Sequence, residues 1–173
     1  MTIQDFKERV LPLKNPLFRF AFSYLRDESE AEDTVQEVMI ECWERIADVN
    51  EIRNMEAYCV TLTKNRCLDR LKKKGRFKEQ LDDRMGLVAD VADPHRQTQV
   101  NETMEKVKDI IAELPEKQRE VLHLRDLEGY SYKEIAEMLQ LEMNHIKVLL
   151  HRGRKAVQSE WQKMNAYGIQ GAG

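Results

Sequence analysis

The stretch SYKEIAEMLQLEMNHIKVLLHRGRK, residues 131–155, decides the fold of the second half of the chain. Ser131 followed by Glu134 is a capping-box signature, and it predicts the start of a short helix. The inward-facing residues of that helix are Ile135, Ala136 and Leu139. Residues 140–144 form a brief turn, after which a long helix begins near His145. Two helices joined by a tight turn predict a helix-turn-helix.

The long helix has two faces of opposite character. At helical spacing its buried seam consists of Ile146, Leu150, Gly153 and Val157, with Leu149 at the border. Its outer face carries Lys147, Val148, His151, Arg152, Arg154 and Lys155. Core packing does not explain Val148, whereas contact with a thymine methyl group in a major groove would. The face therefore favours DNA binding, although a merely solvated basic face stays open as an alternative.

Two further helices precede this pair. Pro115 suits a first helical position, and the helix that it opens carries Val121, Leu122 and Leu124. Gly129 suits the turn that closes it. With the apolar-periodic segment that begins after residue 103, residues 104–165 predict a four-helix domain. Residues 166–173 are expected to be a disordered tail.

The first half, residues 1–78, predicts a separate helical domain. Residues 15–25 are dense in aromatic side chains and predict a buried helix. Ser29 with Glu32 predicts a capping box for a second helix of about 18 residues. The apolar stripe of that helix is Ala31, Val35, Val38, Met39, Cys42, Trp43 and Ile46, opposite an acidic face. After a polar loop at 48–56, a third helix is expected from Ala57 to Lys74, with Gly75 as its stop.

Charge is sorted along the chain rather than mixed. The net charge is −3, yet residues 64–78 hold eight Lys and Arg against Asp69, and residues 143–163 hold five against Glu160. Residues 1–60 hold thirteen Asp and Glu against seven bases. Residues 79–103 are acidic, lack periodicity and predict a flexible linker between the two domains. Such local patches bear on binding partners more than the overall charge does.

Several classes of protein are excluded by what the sequence lacks. No apolar run is long enough to cross a bilayer, and the start of the chain does not read as a secretory signal. Three cysteines, an odd number without C-x-x-C spacing, argue against a disulfide framework and a zinc site and fit a reducing cytoplasm. His145 and His151 are six residues apart, not at the spacing of a helical metal site. The sequence contains no catalytic motif, so we expect that the protein is not an enzyme and binds no metal or cofactor.

Three segments together resemble a known family. EAEDTVQEVMIECW (30–43), AYCVTLTKNRCLDRLKKK (57–74) and LPEKQREVLHLRDLEGYSYKEIAEMLQLEMNHIKVLLHRGRK (114–155) resemble bacterial sigma factors of the extracytoplasmic-function (ECF) type. The resemblance implies an all-α protein of two small domains, which binds core RNA polymerase and directs it to promoters. It implies contacts with the coiled coil of the largest polymerase subunit and with the flap.

The resemblance also implies three sets of binding residues. Those that would dock on polymerase are Asp33, Gln36, Glu37, Val38 and Glu41. Those that would hold the opened −10 element are Asn50, Arg53, Asn54, Lys64, Asn65, Arg70, Lys72, Lys73 and Lys74. Those that would bind the −35 element are Ser131, Lys133, Asn144, His145, Lys147, Val148, His151, Arg152, Arg154 and Lys155.

The chain departs from the family pattern at a few positions. Val148 and Leu149 stand where many relatives have a Ser-Arg pair, and Gly153 replaces a usual alanine. A regulatory anti-sigma factor and a monomeric state in the absence of partners are further implications of the family. A free-standing helix-turn-helix regulator is the second hypothesis, which leaves the acidic helix unexplained. A metal-dependent enzyme is a distant third.

Overall fold

The structure is a computed structural model that describes residues 2–45, 52–82 and 99–170, with side chains for 2–45, 52–75 and 102–166. Within these ranges the regular structure is entirely helical, which confirms the all-α prediction. Helices α1 (Ile3–Arg9), α2 (Lys14–Leu25), α3 (Glu28–Glu44) and α4 (Met55–Asp82) precede α5 (Gln99–Ala112), α6 (Glu116–Leu122), α7 (Tyr132–Leu139) and α8 (Met143–Gln170). None of the described helices has the length and apolarity needed to cross a membrane.

The chain divides into two compact units. The first comprises Met1–Arg53 and Cys59–Thr98, and the second comprises Asn54–Tyr58 and Gln99–Gly173. The predicted linker at 79–103 lies largely outside the described residues. Its two ends do not: α4 runs on to Asp82, and α5 begins at Gln99.

Apolar side chains of α2, α3 and α4 form the core of the first unit. Leu17, Phe20, Ala31, Val35, Val38, Cys59 and Cys67 are all buried. Two threonines in this core, Thr34 and Thr63, donate their hydroxyls to backbone carbonyls four residues earlier, at Glu30 and Cys59. These hydrogen bonds satisfy polar groups that would be costly to bury alone.

The structure of the first unit corrects two predicted helix boundaries and one predicted buried residue. Ser29 does not cap α3; Asp27 does, since its side chain accepts a hydrogen bond from the Glu30 amide while Arg26 takes a left-handed conformation that ends α2. Gly75 does not stop α4, because it keeps a helical conformation without the positive φ of a C-terminal glycine cap. Trp43 is 45% exposed rather than part of the buried stripe.

Helix α1 was not predicted. Its start is a capping box in which the Thr2 hydroxyl accepts from the Asp5 amide and the Asp5 carboxylate accepts from the Thr2 amide. Phe6 on this helix packs its ring edge-to-face with Trp43, at a centroid distance of 5.2 Å. Trp43 therefore packs against α1, although it stays partly exposed.

The second unit contains the four helices α5 to α8, and a tight turn joins α7 to α8 where the sequence predicts one. The capping box of Ser131 and Glu134 is present, and Gly129 has φ +81° in the turn before it. Between α6 and this turn the chain makes a short π-helical segment, His123–Leu127, which was not predicted.

Three boundaries in this unit shift from the prediction. Pro115 is the N-cap of α6 rather than its first helical residue. Helix α8 begins at Met143, two residues before the predicted start, and it continues to Gln170. Residues 166–170, predicted as part of a disordered tail, are therefore helical.

Candidate nucleic-acid and protein interfaces

Helix α8 is fixed in the second unit by one apolar side. Ile146 and Leu150 are 0% and 2% exposed, and Leu149, predicted at the border, is 7% exposed. Gly153 is buried as predicted, whereas Val157 is only partly covered. A methyl group added at Gly153 would lie 3.1 Å from Leu122 Cδ1, so the glycine lets α8 approach α6 closely.

The opposite side of α8 presents a row of exposed side chains. Lys147, His151, Arg152 and Lys155 are exposed, and Val148 retains 45% of its surface. Asn144 and His145 extend the row into the first turn of the helix, and both are exposed. The row thus combines cations suited to phosphates with an aliphatic side chain suited to a thymine methyl group.

Arg154 is also exposed on α8, and it is paired with a carboxylate. Its Nε and Nη2 donate to the two carboxylate oxygens of Asp126 at 2.9 and 2.5 Å. This bidentate hydrogen bond raises the pKa of Arg154. The guanidinium of Arg154 thus ties α8 to the π-helical segment, and its role as a phosphate ligand stays a prediction, with Asp126 as a competing partner.

The start of α7 lies beside the α8 row. Ser131 is exposed, and its hydroxyl is engaged in the capping box, while Lys133 is exposed. Tyr132 was not predicted as part of the site. The Arg125 guanidinium carbon lies 4.9 Å and the Lys147 Nζ 5.9 Å from the centroid of its ring, which places both cations over an aromatic face.

The predicted polymerase-docking residues on α3 separate into three kinds. Asp33 and Gln36 are exposed. Glu37 and Glu41 are partly covered and are paired with α4: Arg66 donates to Glu37 at 2.9 Å and to Glu41 at 2.6 Å. Val38 is 0% exposed. Its assignment to a docking surface is wrong, because its position on the apolar stripe places it in the core.

The cations of α4 continue this pairing. Arg70 donates to Glu37 at 2.6 Å, and Lys74 lies 2.7 Å from Glu30. We call this set of contacts between Glu30, Glu37 and Glu41 on α3 and Arg66, Arg70 and Lys74 on α4 the charge ladder. Its order runs antiparallel along the two helices. Hydrogen bonding with Glu41, and then the nearby carboxylates, raises the pKa of Arg66.

The remaining predicted −10 residues have varied environments. Asn65, Lys72 and Lys73 are exposed on α4, and Lys64 is partly covered. Arg53 is exposed, whereas the Asn54 side chain accepts from the Ala57 amide at the start of α4. Asn50 lies outside the described residues. Arg70 and Lys74 are engaged in the charge ladder, and this engagement was not predicted.

Sequence reasoning missed Arg66 and Asp126 for one reason. Both act across helices, on partners between 25 and 29 residues away in sequence. The four-residue spacing of Arg66, Arg70 and Lys74 was the available signal for the ladder, since it places three cations on one face. No comparable pattern marks Asp126.

Over residues 2–45, 52–82 and 99–170, no three His, Cys, Asp or Glu side chains form a group that could hold a metal ion. His145 and His151 are both exposed on α8.

Comparison with known proteins identifies the family of the chain. The chain matches the family models described as Sigma-70 region 2, over residues 10–77, and Sigma-70, region 4, over residues 104–157. It is 26% identical over 156 residues to the ECF RNA polymerase sigma factor SigW of Bacillus subtilis, with 85% of this chain and 83% of SigW covered. It is 24% identical to SigM of the same organism, with 94% and 97% covered.

Solved structures show the same fold. The sigma factor RpoE, in complex with the anti-sigma factor NepR from Bartonella quintana, has a TM-score of 0.73 at 24% identity, over 92% of this chain and 98% of RpoE. CnrH in complex with the cytosolic domain of CnrY has a TM-score of 0.69 at 18% identity, over 94% and 90%. With both sigma-70 regions matched in order and its relatives named ECF sigma factors, the chain belongs to the sigma-70 family of RNA polymerase sigma factors, in its extracytoplasmic-function group.

Proposed function

We propose that this sigma factor selects promoters through different contacts made by each of its two units. The second unit reads the −35 element with the exposed row of α8. The first unit docks on core RNA polymerase through α3 and holds the opened −10 element through α4. The observation that carries the proposal is the two-sided build of α8. Its apolar side is buried, and Lys147, Val148, His151, Arg152 and Lys155 are exposed on the helix that follows the tight turn.

Within the −35 contact, the residues of α8 have different roles. A recognition helix meets base edges with residues of its first turns, so Lys147, Val148 and His151 contact bases. Arg152 and Lys155 lie further along the helix and bind phosphates, which position the protein without reading sequence. Arg154 supports the helix through Asp126 and contributes little to phosphate binding.

Docking on polymerase rests mainly on Asp33 and Gln36. These two side chains are exposed on α3, while the neighbouring Glu37 and Glu41 are held by Arg66. Arg66 bridges Glu37 and Glu41, so it holds both carboxylates in place on α3 and neutralises part of their charge. A basic or amide-rich surface on the polymerase coiled coil is the expected partner.

The −10 contact rests on the exposed polar and basic side chains of α4. Asn65, Lys72 and Lys73 are free to bind the phosphates of an opened strand, and Arg53 precedes the helix. Unpairing and unstacking bases costs a few kcal/mol, which a cationic groove can offset. Asn50, Asn54 and Lys64 complete the proposed set, with Arg70 and Lys74 available when the charge ladder opens.

The regulatory partner is proposed from the family. RpoE is bound to the anti-sigma factor NepR, and CnrH is bound to the cytosolic domain of CnrY. We propose that an anti-sigma factor also binds this chain. The sigma factor acts as a binding protein rather than an enzyme, in the cytoplasm where its DNA template lies. It is a monomer when free of partners.

Transcription with purified core polymerase on a library of promoter variants tests the proposal. Folded protein is expected to give initiation at a defined subset of sequences, and core polymerase alone is expected to give none. Absence of sequence-dependent initiation, from protein shown by circular dichroism to be helical and folded, would contradict it.

A free-standing helix-turn-helix regulator is the competing function. It predicts tight and specific binding to duplex DNA without polymerase. The exposed Asp33 and Gln36 then have no role, and Asp33→Ala has no effect on specific DNA binding. A gel-shift experiment with and without core polymerase separates the two functions.

A further inference from the structure

Two cysteines meet between helices of the first unit. The Sγ atoms of Cys42, in the last turns of α3, and Cys59, near the start of α4, lie 3.6 Å apart. Both side chains are 0% exposed. A disulfide needs a sulfur–sulfur distance of about 2.0 Å, so the two sulfurs are about 1.6 Å farther apart than in a bond. This pair belongs neither to the proposed polymerase-docking residues nor to the proposed DNA-binding residues.

The two thiols also influence each other chemically. The contact with the Cys59 thiol lowers the pKa of Cys42, against the opposing effect of burial. A thiolate, not a thiol, is the nucleophile in cysteine oxidation, so this contact favours reaction at Cys42. The resolving sulfur of Cys59 is then already in place beside it.

The third cysteine provides an internal contrast. Cys67 is also 0% exposed, but its sulfur faces the Ala21 carbonyl oxygen at 4.0 Å rather than another sulfur. Burial raises the pKa of Cys67 to about 12. Cys67 therefore lacks both the thiolate character and the neighbouring thiol that oxidation to a disulfide requires.

We propose that Cys42 and Cys59 form a reversible oxidation site that a small peroxide converts to a disulfide between α3 and α4. The Cys42 thiolate attacks a peroxide oxygen, the O–O bond breaks, and the departing hydroxide takes a proton to become water. This leaves Cys42 as a sulfenic acid. The Cys59 sulfur attacks the Cys42 sulfur; the S–S bond forms, the S–O bond breaks, and the second hydroxide leaves as water with the Cys59 proton.

Access to the pair comes from local opening. Both cysteines lie near helix ends, at the last turns of α3 and the first turns of α4, where helices open more readily than at their centres. Hydrogen peroxide is small enough to enter during such openings. The product ties the two helices that carry the charge ladder, and a dithiol reductant reverses it.

Thiol counting on the full chain tests the proposal. The reduced protein is treated with hydrogen peroxide, denatured and alkylated with N-ethylmaleimide, and its intact mass is measured. Three alkylated thiols are expected before peroxide and one after it. Proteolysis without reductant is expected to yield Cys42 and Cys59 peptides joined, with Cys67 alkylated, and dithiothreitol is expected to restore three thiols.

Cysteine variants distinguish a disulfide between Cys42 and Cys59 from nonspecific oxidation of the cysteines. Cys67→Ala retains the peroxide-dependent loss of two thiols, whereas Cys42→Ala and Cys59→Ala each abolish the intramolecular disulfide. Because these variants remove core side chains, the peptide map of the unaltered chain is the deciding result. Retention of three alkylatable thiols after peroxide, or a map joining Cys67 to another cysteine, overturns the proposal.

Discussion

Val148 is an aliphatic residue that the packing of α8 does not use. It keeps 45% of its surface exposed while Ile146 and Leu150, on the other side of the same helix, are buried. Its methyl groups have no hydrogen-bonding capacity, so any base preference that they confer acts through apolar contact with thymine. We therefore propose Val148 as the residue on which the −35 preference of this chain most depends.

Val148→Ser should change the preferred −35 base more than the overall strength of binding. Serine retains a small side chain but replaces a thymine-methyl contact with a hydrogen-bonding group. Sequencing of transcripts from a randomised −35 library, with core polymerase, measures the preference. Val148→Ile is the matched control, since it keeps an aliphatic surface. An unchanged base preference in Val148→Ser would show that the thymine-methyl contact is not made.

The two arginines at 152 and 154 should differ in their effect on DNA binding. Arg152 is exposed, whereas Arg154 is held by Asp126. Each phosphate contact contributes about 0.9 to the slope of log affinity against log salt. Arg152→Ala should lower that slope for promoter binding by the holoenzyme, and Arg154→Ala should leave it nearly unchanged.

Asp126→Asn supplies the reciprocal experiment. Loss of the carboxylate frees Arg154, so the salt dependence should steepen by up to about one phosphate contact and affinity should rise at low salt. The measurement is promoter binding by the holoenzyme at several salt concentrations. An Arg154→Ala slope that falls as far as that of Arg152→Ala would mean that Asp126 does not withhold Arg154 from DNA.

Helix α7 depends on its capping box. The Ser131 hydroxyl accepts from the Glu134 amide, and the Glu134 carboxylate accepts from the Ser131 amide at 2.7 Å. Ser131→Ala should lower the free energy of unfolding by about 1 kcal/mol, whereas Ser131→Thr should retain most of it. Chemical denaturation followed by circular dichroism measures the difference. Equal stability of all three proteins would exclude the cap as a stabilising element.

The same cap predicts a pH dependence. The backbone hydrogen bond from Ser131 holds the pKa of Glu134 below its usual value. A depressed pKa stabilises the fold above the unfolded-state value, about 4.3, and that stabilisation is lost as pH falls through the folded-state value. The unaltered chain should therefore lose in acid the stability advantage that it has over Glu134→Gln at neutral pH, because glutamine removes the titrating carboxylate, whereas Ser131→Ala keeps the backbone amide that the carboxylate accepts from. An advantage that is constant from neutral to acid pH would contradict this.

Periodicity predicted the helices better than it predicted their ends or their mutual contacts. The apolar spacing of α3, α7 and α8 is a property of each helix alone, so the sequence identifies their buried sides. The cap of α3 was missed because Asp27 and Ser29 are both good capping residues and local sequence does not choose between them. Contacts such as Arg154 with Asp126 depend on tertiary packing, which single-helix patterns do not contain.

Gly75 illustrates a further limit of sequence reasoning. Glycine is frequent just beyond helix ends, and this frequency supported a stop at residue 75. The structure keeps it helical, since a glycine in a helix is only weakly unfavourable, by about 1 kcal/mol relative to alanine. A tendency of that size is easily overcome by the residues on either side.

Across the whole molecule, acidic side chains form the proposed polymerase face and basic side chains form the proposed DNA faces. Some of these acidic and basic side chains also pair with each other. The charge ladder uses carboxylates of the proposed polymerase face to hold cations of the proposed −10 face. Exposed ion pairs contribute between 0 and about 1 kcal/mol each, so the ladder shapes the surface more than it stabilises the fold. Asp33 stands outside it and remains available to a partner.

Asp33→Ala should weaken binding to core polymerase without lowering the stability of the free chain. Glu37→Ala should do both, because it leaves Arg66 with one carboxylate fewer and Arg70 without its ladder partner. Fluorescence anisotropy with labelled sigma factor measures polymerase affinity, and thermal unfolding measures stability. Equal loss of stability in the two variants would place Asp33 in the fold rather than on the docking face.

The most direct test of this division of labour is a single comparison in the library transcription assay. The unaltered chain, Asp33→Ala and Val148→Ser are each combined with the same core polymerase, and transcripts are counted for every promoter variant. Asp33→Ala is predicted to reduce output across all promoters by a common factor, whereas Val148→Ser is predicted to reorder the −35 preferences. If Asp33→Ala reorders preferences, or if Val148→Ser only scales the output, the assignment of polymerase docking to α3 and −35 reading to α8 is contradicted.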